Sequence, residues 1–283
     1  FYIEEGGLFY DVTPIRLITA AGDVTFAAVN GSSTITVTDT LHGAIENDFV
    51  TFSGAATLGG NITANVLNQE YQIVNVSASN TYTIQARAAG TSIQSITVDG
   101  ELVPSLVTAN GSDTGNGGAS VVGTYQINTG LAVAVTGTGW GAGTWSAGTW
   151  GSATALTAAN TLRIWSQDNF GEDLIFNARD GGIYYWDTSA DTLGTDRGTA
   201  LSDLAGADAG TPTLAKQVLV SDRDRHIIAM GCDAADSLGT LDPLLIRFSS
   251  QESATIWDTQ VENSAGDLRV GAGTQIICAV ETR

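Results

Sequence analysis

The segment from Thr161 to Trp186 constrains the fold more than any other part of the chain. It reads TLRIWSQDNFGEDLIFNARDGGIYYW. Three runs in it are rich in β-branched and aromatic residues that are spaced for strands rather than for a helical stripe: 162–165, 174–176 and 183–186. The turns predicted at 169–172 and 179–182 contain Gly, which supplies the positive φ of tight hairpins. An antiparallel meander closed by Trp is the pattern of one propeller blade.

Composition predicts an all-β protein that carries a strong negative charge. The 283 residues include 34 Gly and give a net charge of −19, and Thr, Val, Ile and Ser are frequent whereas helix formers are scarce. The length suggests about two domains of ~150 residues each. This charge disfavours a surface that grips nucleic acid by neutralising phosphates. An acidic lumen through which DNA passes and an ordinary acidic soluble protein both remain open.

The stretch from about Ala20 to Leu131 has a different sequence pattern, which predicts a separate small β-barrel. Its strands are indicated by clean alternation of apolar and polar residues: 33–38, 49–53, 71–76 and 82–84. His42 lies in this stretch without a Ser, Cys or carboxylate at a spacing typical of catalysis. We therefore interpret His42 as a turn-capping or packing residue.

A loop without charge follows the barrel and contains three regularly spaced indoles. No charged residue occurs from Thr114 to Leu162, and Trp140, Trp145 and Trp150 stand five residues apart with Gly and Ala between them. Five is neither a helical nor a strand period, so we expect a loop whose indoles pack between subunits or blades. A platform for stacking sugars is an alternative. Stacking on DNA bases is disfavoured because the stretch lacks the basic groove that such binding needs.

Three segments together resemble the tail nozzle, or tail tubular, proteins of short-tailed bacteriophages. They are FYIEEGGLFYDVTPIR at 1–16, WSQDNFGEDLIFNARDGGIYYWD at 165–187, and the stretch 242–273 with its Arg-Phe-Ser-Ser-Gln-Glu run. The resemblance implies a propeller-like tail protein that forms a ring, a hexamer in that family. It also implies contacts with portal, adaptor and tail fibre proteins, retention of packaged DNA, and passage of double-stranded DNA during ejection. The expected location is the virion tail, assembled in the host cytoplasm.

These observations predict a propeller-like core interrupted by the barrel. We expect the first strands of the core at 1–19, the barrel at 20–131, and further blades at 132–283 with the Gly/Trp-rich loop at 138–151. The predicted inter-subunit or inter-blade packing residues are Trp140, Trp145, Trp150, Trp165 and Trp186. Because a propeller of six or more blades at ~40–45 residues each needs more chain, we expect part of a longer protein.

Enzymatic alternatives find little support in the sequence. Ser166 to Gly171 resembles the Asp-box turn of propeller glycosidases only in part. The candidate acid and base are Asp168, Glu172 and Asp173, but the adjacent Glu172 and Asp173 point to opposite faces of a strand, which is poor geometry for this chemistry. We interpret Asp168 as a turn-capping residue, and we predict no enzyme activity, cofactor or metal. A receptor- or carbohydrate-binding tail protein is the main alternative.

The remaining reactive side chains are interpreted structurally. Cys232 and Cys278 are expected to be buried thiols, although a disulfide between them stays open. His226 begins an apolar strand and is expected to cap a turn. The sequence contains no run of 18 apolar residues, so we expect no membrane anchor.

Overall fold

A computed structural model of the chain describes residues 1–90, 96–98, 101–103, 105–129, 163–189 and 196–281. The chain divides into two compact units. The first comprises Phe1–Pro14 and Arg163–Arg283, and the second comprises Ile15–Leu162. Antiparallel strands dominate both units, so the all-β prediction is confirmed. Across the described ranges, the structure contains no helix of the length and apolar character that a membrane crossing requires.

The first unit begins with a hairpin of β1 (Tyr2–Glu5) and β2 (Leu8–Asp11). Its two-residue turn consists of Gly6 and Gly7, with φ values of 61° and 84°. Both residues of this turn need positive φ, which Gly adopts without steric cost.

The described part of the second unit contains two four-stranded sheets, a short hairpin and one helical turn. Its elements are β3 (Ile15–Ile18), β4 (Thr25–Ala28), β5 (Thr34–Thr38), β6 (Phe49–Ser53), α1 (Ala64–Leu67), β7 (Glu70–Gln72), β8 (Asn75–Ala78), β9 (Thr81–Gln85), β10 (Ile96–Val98), β11 (Glu101–Val103) and β12 (Val122–Gln126). One sheet has the order β3-β12-β6-β7 and the other the order β4-β5-β9-β8, while β10 and β11 pair with each other.

In the described strands of the second unit, inward-facing and outward-facing residues alternate, and the inward-facing residues form a hydrophobic core. Ile35 and Val37 of β5, with Val50 and Phe52 of β6, are buried, whereas their neighbours along each strand are less so. Full burial of such a side chain contributes about 1.5–3 kcal/mol relative to exposure. The two sheets therefore enclose one barrel-like core.

Two details of the second unit differ from the sequence prediction. The run 71–76 forms two strands, because β7 pairs with β6 while β8 pairs with β9 in the other sheet. The chain changes sheets between Ile73, which donates its N–H to Asp48, and Val74, which donates to Thr83. At the beginning of this unit, β3 pairs with β12. Residues 15–19, which we assigned to the propeller core at 1–19, therefore belong to the second unit. The predicted border at Leu131 lies outside the described residues.

The first unit continues with two blade-like sheets. Its elements are β13 (Trp165–Phe170), β14 (Asp173–Ala178), β15 (Ile183–Trp186), β16 (Thr199–Ala200), a 3-10 helix (Leu201–Asp203), β17 (Gln217–Val220), β18 (Ile227–Met230), β19 (Asp233–Ala234), β20 (Ser237–Leu241), β21 (Leu245–Phe248) and β22 (Gly266–Arg269). The sheets are four-stranded antiparallel meanders of order β13-β14-β15-β16 and β17-β18-β21-β22, and β19 and β20 form a hairpin between β18 and β21.

The predicted meander is present, but its first strand lies further along the chain. The prediction placed that strand at 162–165 and its turn at 169–172, whereas β13 extends through the polar residues to Phe170. The turn contains only Gly171, with φ of 74°, and Glu172. The polar residues 166–169 lack the apolar alternation of a typical strand, because Ser166 and Asp168 form hydrogen bonds with a strand that lies far along the chain.

Those polar side chains of β13 join the two blade-like sheets. Ser166 Oγ accepts the backbone N–H of Val218 at 3.0 Å, and an Asp168 carboxylate oxygen accepts that of Val220 at 2.8 Å. Side chains of β13 thus satisfy the edge of β17, whose backbone N–H groups would otherwise lack partners. An apolar cluster, including Ile175, Val218 and Ile227, packs beside this junction.

The segment 187–210 is also more integrated than the sequence suggested. A content rich in Thr, Asp, Ala and Gly predicts an exposed excursion here, but Leu201 is fully buried in the apolar cluster of the first unit. Asp208 accepts the backbone N–H groups of Trp257 and Asp258 at 2.7 and 2.9 Å. The described part of this segment therefore belongs to the packed unit.

Candidate functional site

The predicted packing tryptophans have different outcomes. Trp140, Trp145 and Trp150 lie outside the described residues. The Trp165 ring stacks on Phe1, with ring centroids 5.2 Å apart. Trp186 is buried, and its Nε1 donates to the backbone oxygen of Asp196 at 3.3 Å. These contacts lie within the first unit, and a role of the five indoles between subunits or blades stays a prediction.

Two of the three carboxylates weighed as catalytic residues, Asp168 and Asp173, make structural hydrogen bonds, whereas Glu172 makes none within the described chain. Besides Val220, Asp168 accepts the backbone N–H of Asn169 at 2.9 Å. Asp173 accepts the hydroxyl of Tyr185 and both the N–H and the hydroxyl of Thr188. Burial, together with this hydrogen bond, raises the pKa of Tyr185. Asp168 therefore supports the edge of a neighbouring strand, a role that differs from the turn capping we predicted.

His42 lies in a buried polar network of the second unit. Its Nδ1 accepts the backbone N–H of Ala44 at 2.9 Å, and its ring packs edge-on against Tyr82 at 4.9 Å between centroids. The two tyrosine hydroxyls of Tyr82 and Tyr125 are 2.7 Å apart, and Tyr125 donates to an Asp39 carboxylate oxygen at 2.5 Å. The geometry agrees with the capping and packing interpretation of His42.

Burial sets the protonation of this network. Desolvation raises the pKa of Asp39, while the hydrogen bond from Tyr125 opposes that rise. Desolvation also lowers the pKa of His42, against the pull of the nearby Asp39 charge. A neutral imidazole agrees with the acceptor role of Nδ1, because only an unprotonated ring nitrogen can accept. Apart from His42 Nε2, which is buried without a hydrogen-bond partner among the described residues, the hydrogen bonds of these side chains stay within the second unit.

The other reactive side chains are separated from one another. Cys232 is buried and Cys278 is exposed, both as free thiols, so the expectation of two buried thiols is wrong for Cys278. Burial raises the pKa of the Cys232 thiol to about 12. His226 contacts the backbone oxygen of Ser249 through Nδ1 at 2.6 Å, which joins β18 to the end of β21. Among the described residues, no three His, Cys, Asp or Glu side chains converge as ligands for a metal ion.

A polar cavity of about 280 Å³ in the first unit brings together residues that the sequence did not single out. We call it the Arg247 cavity. Its wall combines one cation, three carboxylates and one indole: Arg247, Asp236, Asp258, Asp267 and Trp257. Arg247 and Asp267 are direct cross-strand partners on β21 and β22. Trp257 is 1% exposed, and its Nε1 donates to the Ala254 backbone oxygen at 2.8 Å.

Arg247 is the unusual member of this wall, because it occupies an inward-facing strand position. Leu245 and Arg247 lie on the same face of β21 and are both buried, with Arg247 only 4% exposed. Within the described chain, the only hydrogen bond of the Arg247 side chain is donated by Nη1 to the backbone oxygen of Asp233, at a long 3.4 Å. A guanidinium has five N–H donors, so one long hydrogen bond uses little of its capacity within the described chain, and Arg247 lines the cavity.

The nearby carboxylate of Asp233 does not require this cation. It is fully buried, and it accepts hydrogen bonds from the backbone N–H groups of Thr213, Leu214 and Gly239 and from the Thr213 hydroxyl. No ion pair joins Arg247 to a carboxylate in the part of the chain that the structure describes. The charge of Arg247 is thus not accounted for by the fold around it.

Sequence reasoning missed Arg247 as a site residue, although a signal was present. The run Leu-Ile-Arg-Phe at 245–248 alternates so that Arg247 shares a face with Leu245. A charged residue at an inward position of an apolar strand indicates a special role. The loop acids Asp236 and Asp258 could not be added from sequence, since only the folded chain brings them to β21.

Comparisons with known proteins add little to this geometry. No family model matches the chain, and no curated protein matches it. Among solved structures, an endosialidase of phage phi92 aligns with 93% of this chain and 32% of its own, at 15% sequence identity and a TM-score of 0.23. The chain thus spans less than a third of that protein, and a likeness this weak carries no argument about function.

Proposed function

We propose that this chain belongs to a structural tail protein of a short-tailed bacteriophage. In this proposal, copies of the protein form a ring, a hexamer, around the DNA exit channel below the portal and adaptor. The ring retains packaged DNA and conducts it during ejection. The protein has no catalytic activity of its own and no cofactor.

The architecture of the first unit is the observation that carries the proposal. A hairpin at the start of the chain and two four-stranded meanders, the first of which begins at Trp165, belong to one compact unit, and the second unit is inserted between them in the sequence. An interrupted blade unit is what the resemblance to the nozzle family implies. The three segments that carry the resemblance, 1–16, 165–187 and 242–273, all contribute to this unit apart from Ile15 and Arg16.

Charge supports a conduit rather than a DNA-binding protein. The net charge of −19 disfavours tight contact with a polyanion, so DNA can pass without being held along the wall. The acids Asp168, Asp173 and Asp208 accept hydrogen bonds from the backbone or from side chains of the same unit. These hydrogen bonds occupy the carboxylates, which favours a structural protein over a hydrolase that would use them for catalysis.

Assembly of the purified full-length protein tests this proposal. We expect sedimentation to show a closed oligomer, and negative-stain electron microscopy to show rings with a central hole wide enough for duplex DNA. The protein should not retain duplex DNA in a filter assay at low salt, where phosphate contacts are strongest. A protein that stays monomeric alone and with its adaptor, or that forms trimeric fibres, contradicts the proposal.

A further inference from the structure

We propose that the Arg247 cavity binds a neutral, polyhydroxylated ligand, namely a single sugar residue of a glycan. This inference is independent of the ring proposal, because it concerns one cavity inside the first unit. It rests on a buried guanidinium that the protein leaves underused and on the carboxylates placed around it.

The first step concerns the cost of Arg247. A charge that is 96% buried is unfavourable unless it is paired and hydrogen-bonded. The guanidinium donates one long hydrogen bond to the Asp233 backbone oxygen, and the Asp233 carboxylate is already satisfied by other donors. An apolar residue at this inward position would serve the fold at least as well. The guanidinium therefore acts on something that enters the cavity.

The second step concerns the acceptors. Asp236, Asp258 and Asp267 line the cavity, and their carboxylates receive no hydrogen bond or ion pair within the described chain. Asp258 instead donates its own backbone N–H to Asp208 at 2.9 Å, which fixes the loop that carries it. The cavity thus combines the buried donor Arg247 with the half-buried acceptor Asp258 and the solvent-exposed acceptors Asp236 and Asp267.

The third step selects the ligand chemistry. A small anion would meet three carboxylates, and a small cation would meet the guanidinium. A hydroxyl group both donates and accepts, so a ligand with several hydroxyls satisfies Arg247 and the aspartates together. The volume of about 280 Å³ lies at the lower limit of ligand pockets and suits one ring rather than an extended chain. Ala234, Ala235 and Leu245 also line the cavity and give it an apolar wall for the ring carbons.

The test uses nuclear magnetic resonance titration of the isotope-labelled protein with a panel of probes. The probes are the methyl glycosides of glucose, galactose, mannose and N-acetylglucosamine, with sodium acetate as the simple anion. We expect at least one glycoside to shift the backbone amides of Asp258 and Asp267, with a dissociation constant in the millimolar range. Shifts caused by acetate alone, or by no probe, would overturn the proposal.

Variants separate a ligand role from a structural one. Arg247→Met keeps the side-chain volume and should fold, yet weaken the glycoside by about tenfold or more, since it removes charged donors. Asp267→Asn should also weaken binding, whereas Arg223→Met, an exposed position outside the cavity, should leave it unchanged. If Arg247→Met does not fold, Arg247→Lys keeps the charge without the planar fork and should fold with the same loss of binding. Unchanged affinity in the folded variant contradicts the inference.

Discussion

Tyr125→Phe is expected to destabilise the second unit in a way that depends on pH. The hydroxyl of Tyr125 lies between Tyr82 and Asp39, at 2.7 Å from the Tyr82 hydroxyl and 2.5 Å from an Asp39 carboxylate oxygen. No other side chain of the described residues donates to Asp39, which is 1% exposed. The substitution therefore leaves a buried carboxylate without its donor.

The magnitude follows from the kind of hydrogen bond that is lost. A hydrogen bond to a charged group contributes about 1.5–3 kcal/mol, and a neutral one about 0.5–1.5 kcal/mol. At neutral pH, Tyr125→Phe should thus lower the free energy of unfolding of this unit by about 2–3 kcal/mol. Tyr82→Phe removes only a contact between two hydroxyls and should cost about 1 kcal/mol.

The sign of the pH dependence comes from the pKa of Asp39. Desolvation holds this pKa above its ordinary value in the folded state, and Tyr125 lowers it, so the variant raises it further. A raised folded-state pKa stabilises the protein below the unfolded pKa of about 3.9, and this contribution is lost as pH rises through the folded-state value. The penalty of Tyr125→Phe should therefore be smallest in acid and grow towards neutral pH.

Amide hydrogen exchange of β5 and β9 is the appropriate assay, because it reports the stability of the second unit alone. Denaturation of the whole chain need not be a two-state transition, since the chain contains two units. A double-mutant cycle with Asp39→Asn should give a coupling of about 1 kcal/mol or more. Tyr71→Phe is the matched control, since its hydroxyl donates to the neutral backbone oxygen of Val66. A pH-independent penalty without coupling to Asp39 would refute the reasoning.

Three further predictions concern packing and thiol chemistry. Gly54→Ala should destabilise the second unit by well over the ~1 kcal/mol cost of a left-handed backbone, because the added Cβ would lie 2.2 Å from a backbone oxygen. Gly31→Ala is the control, since its Cβ would meet no atom within 4 Å, and hydrogen exchange measures the stability of both variants. In a thiol-labelling assay, Cys278 should react in the native protein and Cys232 only after unfolding. Trp257→Ala should cost the first unit about 3–5 kcal/mol in urea denaturation, and a loss under 1 kcal/mol contradicts its core placement.

Strand positions were predictable from sequence where burial is one-sided. The alternation at 33–38 and 49–53 predicted β5 and β6 within one residue, because one face of each strand lies in the core. The turn at Gly171 was predictable because this Gly adopts positive φ, whereas in the turn at 179–182 the positive φ lies at Asp180 and not at Gly181 or Gly182, where we predicted it. Periodicity and turn chemistry are local properties, so the sequence contains them.

The rest depended on contacts between distant residues. Ser166 and Asp168 looked like turn residues, yet they lie on β13 and bind the edge of β17, which begins at Gln217. The Arg247 cavity was missed for the same reason, since its acids come from a hairpin turn, a loop and a neighbouring strand. Local patterns do not reveal which strand edges meet or which loops converge.

Cryo-electron microscopy of the phage particle tests the central proposal most directly. The account predicts density for the blade-like sheets of the first unit in a closed ring on the tail axis, surrounding the DNA channel below the portal and adaptor. Density for this protein at the tips of fibres or spikes, away from the axis, would contradict it.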